Sequence, residues 1–320
     1  MKISVVIPTY NRVKLLERCL DSMLVQTKKP VEVIVVDNGT NNETKDMVME
    51  KKNVFERENI RLLYIKNNRE NSVCIARNIG VTYSSGNVVA FVDDDAYIDK
   101  NHYAEIAKVY IENNKARGVA GITSHKNYMD ASNNLFRRFF FLSRTGTDDS
   151  CKVLPSHEHT MPLVKQDIIS CEWLHGCSSY LKTVLCEIPW DEKLKKYCCD
   201  DDTDLSYRVF KKYPGSLFLA PAARIFHAYE GERQQPKERV FMRHVYSVYL
   251  FYKNIDQTLV NKFIFIWSKI GYLFFDTVLL FKSKAKVNDI VLLISAYVFC
   301  MRHLKEMKRG DLDFFNKTLT

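Results

Sequence analysis

Four short apolar segments divide the N-terminal third of the chain, and helical patterns separate them. The segments span residues 3–7, 31–36, 60–65 and 87–92. None of them alternates apolar with polar residues as a half-exposed strand does. Helical spacing of apolar residues recurs between them, around residues 13–24, 43–52 and 73–83. Strands that alternate with helices predict an α/β fold, in which helices cover both faces of a mostly parallel, Rossmann-like sheet.

Three consecutive carboxylates, Asp93, Asp94 and Asp95, follow the fourth apolar segment. Like charges repel one another, and the end of a buried strand offers little solvent to screen them. Hard divalent cations such as Mg²⁺ or Mn²⁺ bind carboxylate oxygens and are commonly shared with a substrate phosphate. The three residues therefore favour a cation site, with a solvated acidic turn as the alternative.

Polar residues also follow two other predicted strands. Tyr10 and Asn11 come after the first strand, and Asp37 ends the second. Ligands bind outside the carboxyl ends of parallel strands, so we expect these residues to share one rim with Asp93–Asp95. The chain has neither the glycine pattern of a dinucleotide-binding domain nor a Walker A motif, so a nucleotide would be held in another way.

A second acidic cluster lies before a predicted helix. Four of the five positions from 200 to 204 are aspartates, and Leu205, Val209 and Phe210 follow at helical spacing. Carboxylates are stabilised at the positive end of a helix dipole, which explains one or two of them. Four acids in five positions exceed what capping requires, and this indicates a second functional element.

Two motifs in the middle of the chain each leave two interpretations open. The aromatic and basic residues 137–141 (RRFFF) could contact a substrate or a membrane, or form a helix face that packs on the core. His157-Glu158-His159 favours a solvated loop over a metal site, because successive side chains of an extended segment point to opposite sides.

The positive charge is concentrated at the C-terminal end. The net charge is +9, and residues 224–320 contain 16 Lys and Arg against 9 Asp and Glu. Such a region suits an anionic lipid surface. No zinc-ligand spacing, RNA-binding signature or long basic helix supports a nucleic-acid partner. The nine cysteines form no disulfide framework, and no signal peptide precedes the first strand, so we expect a cytoplasmic protein.

The C-terminal apolar segments indicate an association with the membrane surface. Residues 263–281 are apolar except where Lys269 and Asp276 interrupt them on one helix face, which favours an interfacial helix over a spanning one. Residues 290–301 are too short to span a bilayer. We expect a peripheral position on the cytoplasmic face; a transmembrane hairpin and helices that pack on the catalytic core are the alternatives.

Several of these motifs, in this order, resemble those of the family 2 glycosyltransferases, which have the nucleotide-sugar-binding GT-A fold. The matching segments are residues 6–12 (VIPTYNR), 35–39 (VVDNG), 76–80 (ARNIG), 91–95 (FVDDD), 176–177 (GC) and 201–208 (DDTDLSYR). His227 lies where the family often has a metal-binding histidine. The resemblance covers about residues 3 to 230, and beyond that it is general: many members carry membrane-associated helices there.

The resemblance implies a GT-A catalytic domain over residues 1–230 and a helical, basic and apolar extension over residues 231–320. It also implies an inverting, metal-dependent glycosyltransferase that uses Mn²⁺ or Mg²⁺. The donor would be a nucleotide-diphosphate sugar, UDP-linked by default and dTDP- or GDP-linked in some members. The acceptor would be a hydroxyl of a glycan or a lipid-linked saccharide, as in polysaccharide biosynthesis.

The resemblance also implies roles for individual residues. Asp202 would be the general base, in an inverting displacement at the anomeric carbon. The metal ligands would be Asp95, Asp93 and His227. The donor-binding residues would be Pro8, Thr9, Tyr10, Arg12, Asp37, Arg77, Asp93 and Asp94. The acceptor-side residues would be Trp173, Gly176 and Asp201, with Asp201 where the family more often has Glu.

Two other functions compete with this one. A sugar-nucleotide nucleotidyltransferase would also use a parallel sheet and paired carboxylates, but it should have a Gly-rich, basic loop after the first strand, where this chain has Pro8-Thr9-Tyr10-Asn11. A catalytically inactive glycosyltransferase-like subunit of a membrane glycan-assembly complex would not need Asp95, Asp202 and His227 together. Metal-dependent hydrolysis or transfer of a nucleotide sugar discriminates among the three.

Overall fold

The computed structural model describes residues 1–123, 131–147, 151–162, 167–227, 236–281 and 287–318, and these form two compact units. Unit 1 draws on residues 1–126, 164–197 and 201–231. Unit 2 draws on residues 127–163, 198–200 and 232–320. Unit 2 therefore takes part of its structure from the middle of the chain.

Up to residue 92, strands and helices alternate in the order that the sequence predicted. The strands are β1 (Ile3–Thr9), β2 (Glu32–Asp37), β3 (Arg61–Lys66), β4 (Val88–Phe91), β5 (Ala96–Ile98), β6 (Gly118–Thr123), β7 (Arg144–Thr147), β8 (Thr160–Pro162), β9 (Ile169–Cys171), β10 (Ser178–Leu181) and β11 (Leu217–His227). The helices are α1 (Val13–Leu24), α2 (Glu43–Arg57), α3 (Val73–Tyr83), α4 (His102–Glu112), α5 (Ala131–Phe139), α6 (Lys182–Glu187), α7 (Asp201–Lys212), α8 (Pro236–Asn254), α9 (Leu259–Phe281), α10 (Val287–Arg302), α11 (Leu304–Lys308) and α12 (Asp313–Asn316).

Within the described residues, unit 1 contains one mixed sheet. Its strand order is β3-β2-β1-β4-β10-β6-β11-β5, and β9 pairs with β11. The predicted parallel arrangement is confirmed for β3-β2-β1-β4. In the other half only β6 and β11 are parallel among the described strands. There β10 is antiparallel to β4 and β6, and β5 and β9 are antiparallel to β11, so the prediction of a mostly parallel sheet is wrong for this half. The short strands β5, β9 and β10 carry too few apolar residues to have been recognised from the sequence.

The core of unit 1 lies on both faces of the first four strands. Every residue of β1, β2 and β4 is buried, as the absence of apolar–polar alternation predicted. Thr9 pairs with Asp37, and Asp37 pairs with Lys66, so β1, β2 and β3 end level with one another. On one face, Gly80 of α3 packs so closely on Val6 that a Cβ atom there would overlap the Val6 side chain. The level strand ends and this packing define the rim at which the site is built.

In unit 2, one face of helix α9 is an exposed apolar stripe, while Phe265 of the same helix is buried. Phe263 is 65% exposed and Ile266 is 59% exposed, and Ile270 and Phe274 extend the same stripe at helical spacing. The aromatic and basic segment 137–141 is divided between two environments: Phe140 stacks on Trp267 at 4.9 Å, whereas the neighbouring Phe139 is exposed. The packing interpretation is therefore confirmed for Phe140, and contact of Phe139 with a substrate or a membrane stays a prediction.

The polar side chains of the same helix point into unit 2. Lys269 Nζ donates a hydrogen bond to Ser247 Oγ at 2.6 Å and lies 3.8 Å from Glu158 Oε1. Tyr272 donates from its hydroxyl to Glu158 Oε2 at 2.6 Å, and Ser143 Oγ donates to the same oxygen at 2.7 Å. Lys269 therefore lies on the inward face of α9 and does not interrupt the exposed apolar face. The side chain of Asp276 lies outside the described residues.

The solvated loop expected at His157-Glu158-His159 is wrong. His157 is buried and its Nε2 lies 3.1 Å from Asn254 Nδ2, while Glu158 has the hydrogen-bond partners described above. An Asn on α8 and a Tyr on α9, both about a hundred residues away in the chain, provide the burial, so local sequence carried no sign of it. No described helix combines the length and the apolarity that a membrane span needs.

Glu158 predicts a specific acid sensitivity. Burial alone would raise the pKa of this carboxyl, but the charges of Lys269 and Arg243 and the two hydroxyl donors lower it from 4.5 to about 2. A carboxyl with a lowered pKa stabilises the fold above its unfolded pKa, and the contribution is lost as the pH falls from about 5 to 2. We expect Glu158→Gln to reduce the free energy of unfolding at pH 7 by roughly 2 kcal/mol. The variant should also lose less stability than the wild type as the pH falls from about 5 to 2, as measured by urea unfolding across pH.

The control is Glu306→Gln. Glu306 is a partly exposed carboxylate of the same unit, and it lies 3.6 Å from His303. Its replacement should change stability by less than about 0.5 kcal/mol. Wild-type stability and a wild-type acid profile in the Glu158 variant would contradict the interior role of that carboxylate.

Candidate active site

The rim at the ends of β1, β2 and β4 brings the predicted donor-side residues together. Asn11 adopts a left-handed backbone conformation (φ 52°), which Asn tolerates better than most residues. Its side chain accepts a hydrogen bond from the Thr40 backbone N–H at 3.0 Å, so the loop after β1 is tied to the loop after β2. Pro8 lies in β1 and is buried, whereas Tyr10 is 45% exposed. Tyr10 is therefore open to a ligand.

Asp37 is fully buried and its oxygens already have donors. Tyr64 Oη donates to Oδ2 at 2.8 Å, Lys66 Nζ approaches the same oxygen at 3.1 Å, and the Gly39 backbone N–H donates to Oδ1 at 2.7 Å. Sequence reasoning missed Tyr64 and Lys66. Their signal was available, because alternate residues at the end of β3 point to the same side as the end of β2.

Asp94 binds protein groups on both of its oxygens. Thr9 Oγ1 donates to Oδ2 at 2.8 Å, and the Arg12 guanidinium lies 3.1 Å from Oδ1. Burial raises the pKa of Asp94 to about 6, against the opposing effects of Arg12 and Thr9. The middle aspartate of the three thus anchors the loop that carries Arg12.

Asp95 and Asp93 flank that anchor and face His227. Asp95 Oδ1 lies 3.3 Å from His227 Nδ1, and both side chains are about 17% exposed. One ligand atom each from Asp93, Cys177 and His227 lies within 4.8 Å of the other two. Carboxylate and imidazole donors suit Mn²⁺ or Mg²⁺, so the types of donor present fit the expected metal. The group within 4.8 Å contains Cys177 in place of Asp95, and Asp95 adjoins it through His227.

Cys177 is the unexpected member of this group. Sequence reasoning placed Gly176-Cys177 on the acceptor side and gave the thiol no role. Burial raises the pKa of the Cys177 thiol well above its usual value, and the charge of the nearby Asp93 raises it further. Its sulfur also accepts a hydrogen bond from the Asp93 backbone N–H at 3.4 Å. A protonated thiol is a weak metal ligand, so Cys177 positions Asp93.

Arg77 joins the two acidic clusters. Its guanidinium forms an ion pair with Asp93 at 3.2 Å and a second one with Asp201, and its side chain is 3% exposed. It lies 4.3 Å from the ring centre of Trp190. Gly176 lies against this group: a Cβ there would be 3.1 Å from an Arg77 nitrogen. Arg77 was expected to touch the nucleotide, and the structure surrounds it with protein carboxylates and aromatic rings.

The second cluster opens helix α7. Asp201 and Asp202 are its first two residues, and Asp202 Oδ1 accepts a hydrogen bond from the Thr203 backbone N–H at 2.7 Å. Asp201 is buried, and burial raises its pKa to about 7, opposed by Arg77 and reinforced by Asp202 and Asp93. The two neighbouring carboxyls therefore differ: Asp201 is held in the protein, and Asp202 is the more accessible.

The segment before the second cluster supports the same rim. Trp173 is buried, and the neighbouring Leu174 carbonyl accepts from Ser206 Oγ of α7 at 3.5 Å. Tyr197, which sequence reasoning also missed, is 52% exposed, and the charges of Asp93 and Asp201 contribute to a raised pKa of its hydroxyl. No local pattern pointed to Tyr197 or Trp190, because their place depends on how distant segments pack.

Comparison with known proteins agrees with this geometry. The family model described as "Glycosyl transferase family 2" matches residues 4–173, more than half of the chain. The chain belongs to this family. Asp93–Asp95 lie inside the matched range, whereas Gly176, Asp202 and His227 lie beyond it.

Two curated relatives show how far the similarity extends. Glycosyltransferase GlyA of Streptococcus pneumoniae is 37% identical over 112 residues, which are 35% of this chain and 15% of GlyA. Glycosyltransferase AglE of Haloferax volcanii is 37% identical over 95 residues, 29% of this chain and 30% of AglE. The chain thus matches less than a third of the length of either relative.

Solved structures confirm the GT-A type of fold. S. aureus TarS (residues 1–349) superposes with a TM-score of 0.55 at 18% identity, over 92% of this chain and 79% of that one. GalNAc-T7, solved with UDP, GalNAc and Mn²⁺, gives a TM-score of 0.56 at 16% identity, over 82% of this chain and 53% of that one. The expected α/β fold is therefore correct, with the mixed sheet described above.

Arg77 generates a prediction about stability. Removing one partner of a buried ion pair typically costs 3–5 kcal/mol, because the remaining charges lose their compensation. We expect Arg77→Met to lower the free energy of unfolding by about that amount in urea titrations. Arg77→Met combined with Asp201→Asn should recover part of the loss, because the second change removes a stranded carboxylate.

The matched control is Arg69→Met. Arg69 pairs with Glu192 on the surface of the same unit, with half of its side chain exposed, so its loss should cost less than about 1 kcal/mol. Equal costs for Arg69→Met and Arg77→Met would show that Arg77 is not the central buried charge.

Proposed function

We propose that the protein is a glycosyltransferase that moves a sugar from a nucleotide-diphosphate sugar to an acceptor hydroxyl with inversion at the anomeric carbon, and that unit 1 carries the active site. The observation that supports this most directly is the buried Arg77 between Asp93 and Asp201. It holds two carboxylate clusters side by side on one rim. Transfer from a nucleotide sugar needs two such groups, one for the departing diphosphate and one for the incoming hydroxyl.

The donor would be UDP-linked. TarS has been solved in complex with UDP and with UDP-GlcNAc, and GalNAc-T7 with UDP. In this chain Asp37, with Tyr64 and Lys66 beside it, would receive the base. The exposed Tyr10 and the loop to Arg12 would enclose the nucleotide. Asp37 would act as a shared acceptor, since Tyr64 and Gly39 already donate to it.

Asp95, Asp93 and His227 would hold a divalent cation, Mn²⁺ or Mg²⁺. Bound there, such an ion supplies charge stabilisation to a diphosphate leaving group. Arg12 lies 3.5 Å from Asp95 and would add positive charge on the same side. Asp94 would contribute indirectly, by fixing Arg12.

Asp202 would be the general base. It would take the proton of the acceptor hydroxyl while that oxygen forms its bond to the anomeric carbon and the bond to the nucleotide breaks. It lies in the first turn of α7, where the helix dipole and the Thr203 N–H favour a carboxylate. Asp201, whose pKa is raised to about 7, would orient Arg77 and the acceptor, as Glu does in many relatives.

Unit 2 would bring the protein to the cytoplasmic face of a membrane, where its acceptor would be a glycan or a lipid-linked saccharide. The outward stripe of α9 is apolar, whereas the only described charge of its middle turns, Lys269, points inward. Soluble surfaces rarely show an apolar stripe of this length, and the basic balance of the C-terminal region favours anionic lipid. The nine cysteines are all free thiols, which suits a reducing compartment.

Two variants separate the proposed roles. Asp202→Asn should reduce UDP release from UDP-sugars by about 100-fold or more while UDP with Mn²⁺ still raises the melting temperature, because only the base is lost. Asp95→Asn should abolish the Mn²⁺-dependent part of that thermal shift. Release assays and differential scanning fluorimetry measure the two effects.

Asp21→Asn, an exposed carboxylate change on α1, is the control for both assays. Full turnover by Asp202→Asn would refute its assignment as base. Wild-type protein that binds no nucleotide diphosphate and hydrolyses no donor would instead favour the inactive glycosyltransferase-like subunit.

The membrane contact has its own test. Phe263→Ser, Ile266→Ser and Ile270→Ser combined should weaken co-sedimentation with vesicles rich in anionic lipid by about 100-fold, because each apolar side chain contributes about 1–2 kcal/mol on burial. Ile111→Ser removes an equally exposed apolar residue from unit 1 and should have no effect. Undiminished vesicle binding by the triple variant, or no binding by the wild type at low salt, would show that α9 does not contact lipid.

A further inference from the structure

Unit 2 contains a cavity of about 690 Å³ that belongs to none of the residues assigned to sugar transfer. Helices α8 and α9 and the segment around Glu158 line it. A volume of this size accommodates a small organic molecule, not only an ion or a few waters. The cavity opens to solvent, so a ligand can enter it.

The lining is strongly cationic. Arg137, Arg239, Arg243 and Lys269 face the cavity, against the carboxylates of Glu158 and Asp200. Two histidines also line it, and both are neutral at pH 7. Burial lowers the pKa of His244 to about 3, and the nearby charges of Lys269 and Arg243 act in the same direction. Burial also lowers the pKa of His159. The described lining thus has two positive charges in excess.

Two of these cations lack hydrogen bonds to the described protein groups, although the charges of Glu158 and Asp200 act on Arg243. Arg239 and Arg243 lie four residues apart on α8, on the same face of the helix. Neither makes a hydrogen bond or an ion pair with any residue of the described chain, and both are open to solvent. Like charges at this spacing destabilise a helix slightly, so the stability of α8 gives no reason for the pair.

The nearest carboxylate cannot serve both arginines. Glu158 accepts hydrogen bonds from Ser143 and Tyr272 on one oxygen and faces Lys269 with the other. The Arg243 guanidinium instead rests 4.7 Å from the ring centre of Tyr272, which holds it at the cavity wall. Its nitrogens are therefore positioned for an acceptor that the described protein does not supply.

We propose that this cavity binds the phosphoryl group of a phosphate ester, with Arg239 and Arg243 as its principal ligands. A phosphate monoester carries close to two negative charges at pH 7, which matches the excess charge of the lining. Arginine pairs recognise phosphate oxygens by forked, charge-assisted hydrogen bonds. The remaining volume takes the organic part of the ester. The proposal rests on unit 2 alone and does not depend on the proposed transfer reaction.

The phosphate ester could be a soluble metabolite or the headgroup of a lipid. Lys269 contributes to the cavity from the same helix that carries the outward apolar stripe, so unit 2 is built to meet both kinds of ligand. The chemistry that the cavity recognises is the same in each case, and the experiment separates the two sources.

The test uses the full chain and isothermal titration with glycerol phosphate at fixed ionic strength, with sodium chloride as the compensating salt. We expect saturable binding that Arg239→Gln combined with Arg243→Gln weakens by about tenfold or more, since each lost charge-assisted hydrogen bond removes a substantial share of the affinity. Arg243→Lys, which keeps the charge but loses the fork, should fall between the two. A second arm measures binding to neutral vesicles with and without phosphatidic acid.

Arg302→Gln, an exposed arginine of the same unit outside the cavity, is the control, and circular dichroism checks that each variant is folded. Binding of glycerol phosphate that needs the two arginines supports a soluble source, and phosphatidate-dependent binding that needs them supports a lipid source. The proposal is overturned if the wild type binds neither glycerol phosphate nor phosphatidate vesicles. It is also overturned if, in both arms, the double variant binds as well as the wild type or Arg302→Gln weakens binding as much as the double variant does.

Discussion

The guanidinium of Arg77 is buried between carboxylates that come from distant parts of the chain. Asp93 follows β4, and Asp201 begins α7 more than a hundred residues later. Neither carboxylate could be placed in this interior without a cation, and the cation could not be placed there without them. The stacked Trp190 ring and the absence of a side chain at Gly176 provide the space. The relative position of the two acidic clusters on the rim depends on this one set of contacts.

Unit 2 combines an apolar core with interior charges and an exposed apolar stripe. Its interior holds Glu158, Lys269 and the cationic cavity, while apolar residues of α9 face outward. Interior charge is expensive unless it is paired, and the hydroxyls of Ser143 and Tyr272 supply the pairing that Glu158 needs. An outward apolar stripe is expensive in water and favourable against lipid. The proposed lipid contact rests on the outward stripe, and the proposed phosphate site rests on the charged interior.

Local pattern predicted what local physics determines. The first four strands and the helices between them were recognisable because strands buried on both faces are continuously apolar and amphipathic helices repeat every 3.6 residues. Short strands such as β5 and β10 carry no such signal, and the mixed half of the sheet was missed with them. Among the three aspartates, pattern could not distinguish Asp94 from Asp95. Their difference arises from Thr9 and Arg12, which lie more than eighty residues earlier in the chain.

The sequence by itself determined the family, the parallel half of the sheet and the two acidic clusters at its rim, because each is written in contiguous residues. Only the tertiary structure decided which carboxylates are anchored and which are accessible, that Tyr64, Trp190 and Tyr197 belong to the site, and that Lys269 points inward. These outcomes depend on burial and on partners far away in the chain. Desolvation and ion pairing change the chemistry of a carboxyl or an amine by as much as its covalent structure does, and they exist only once the chain has folded.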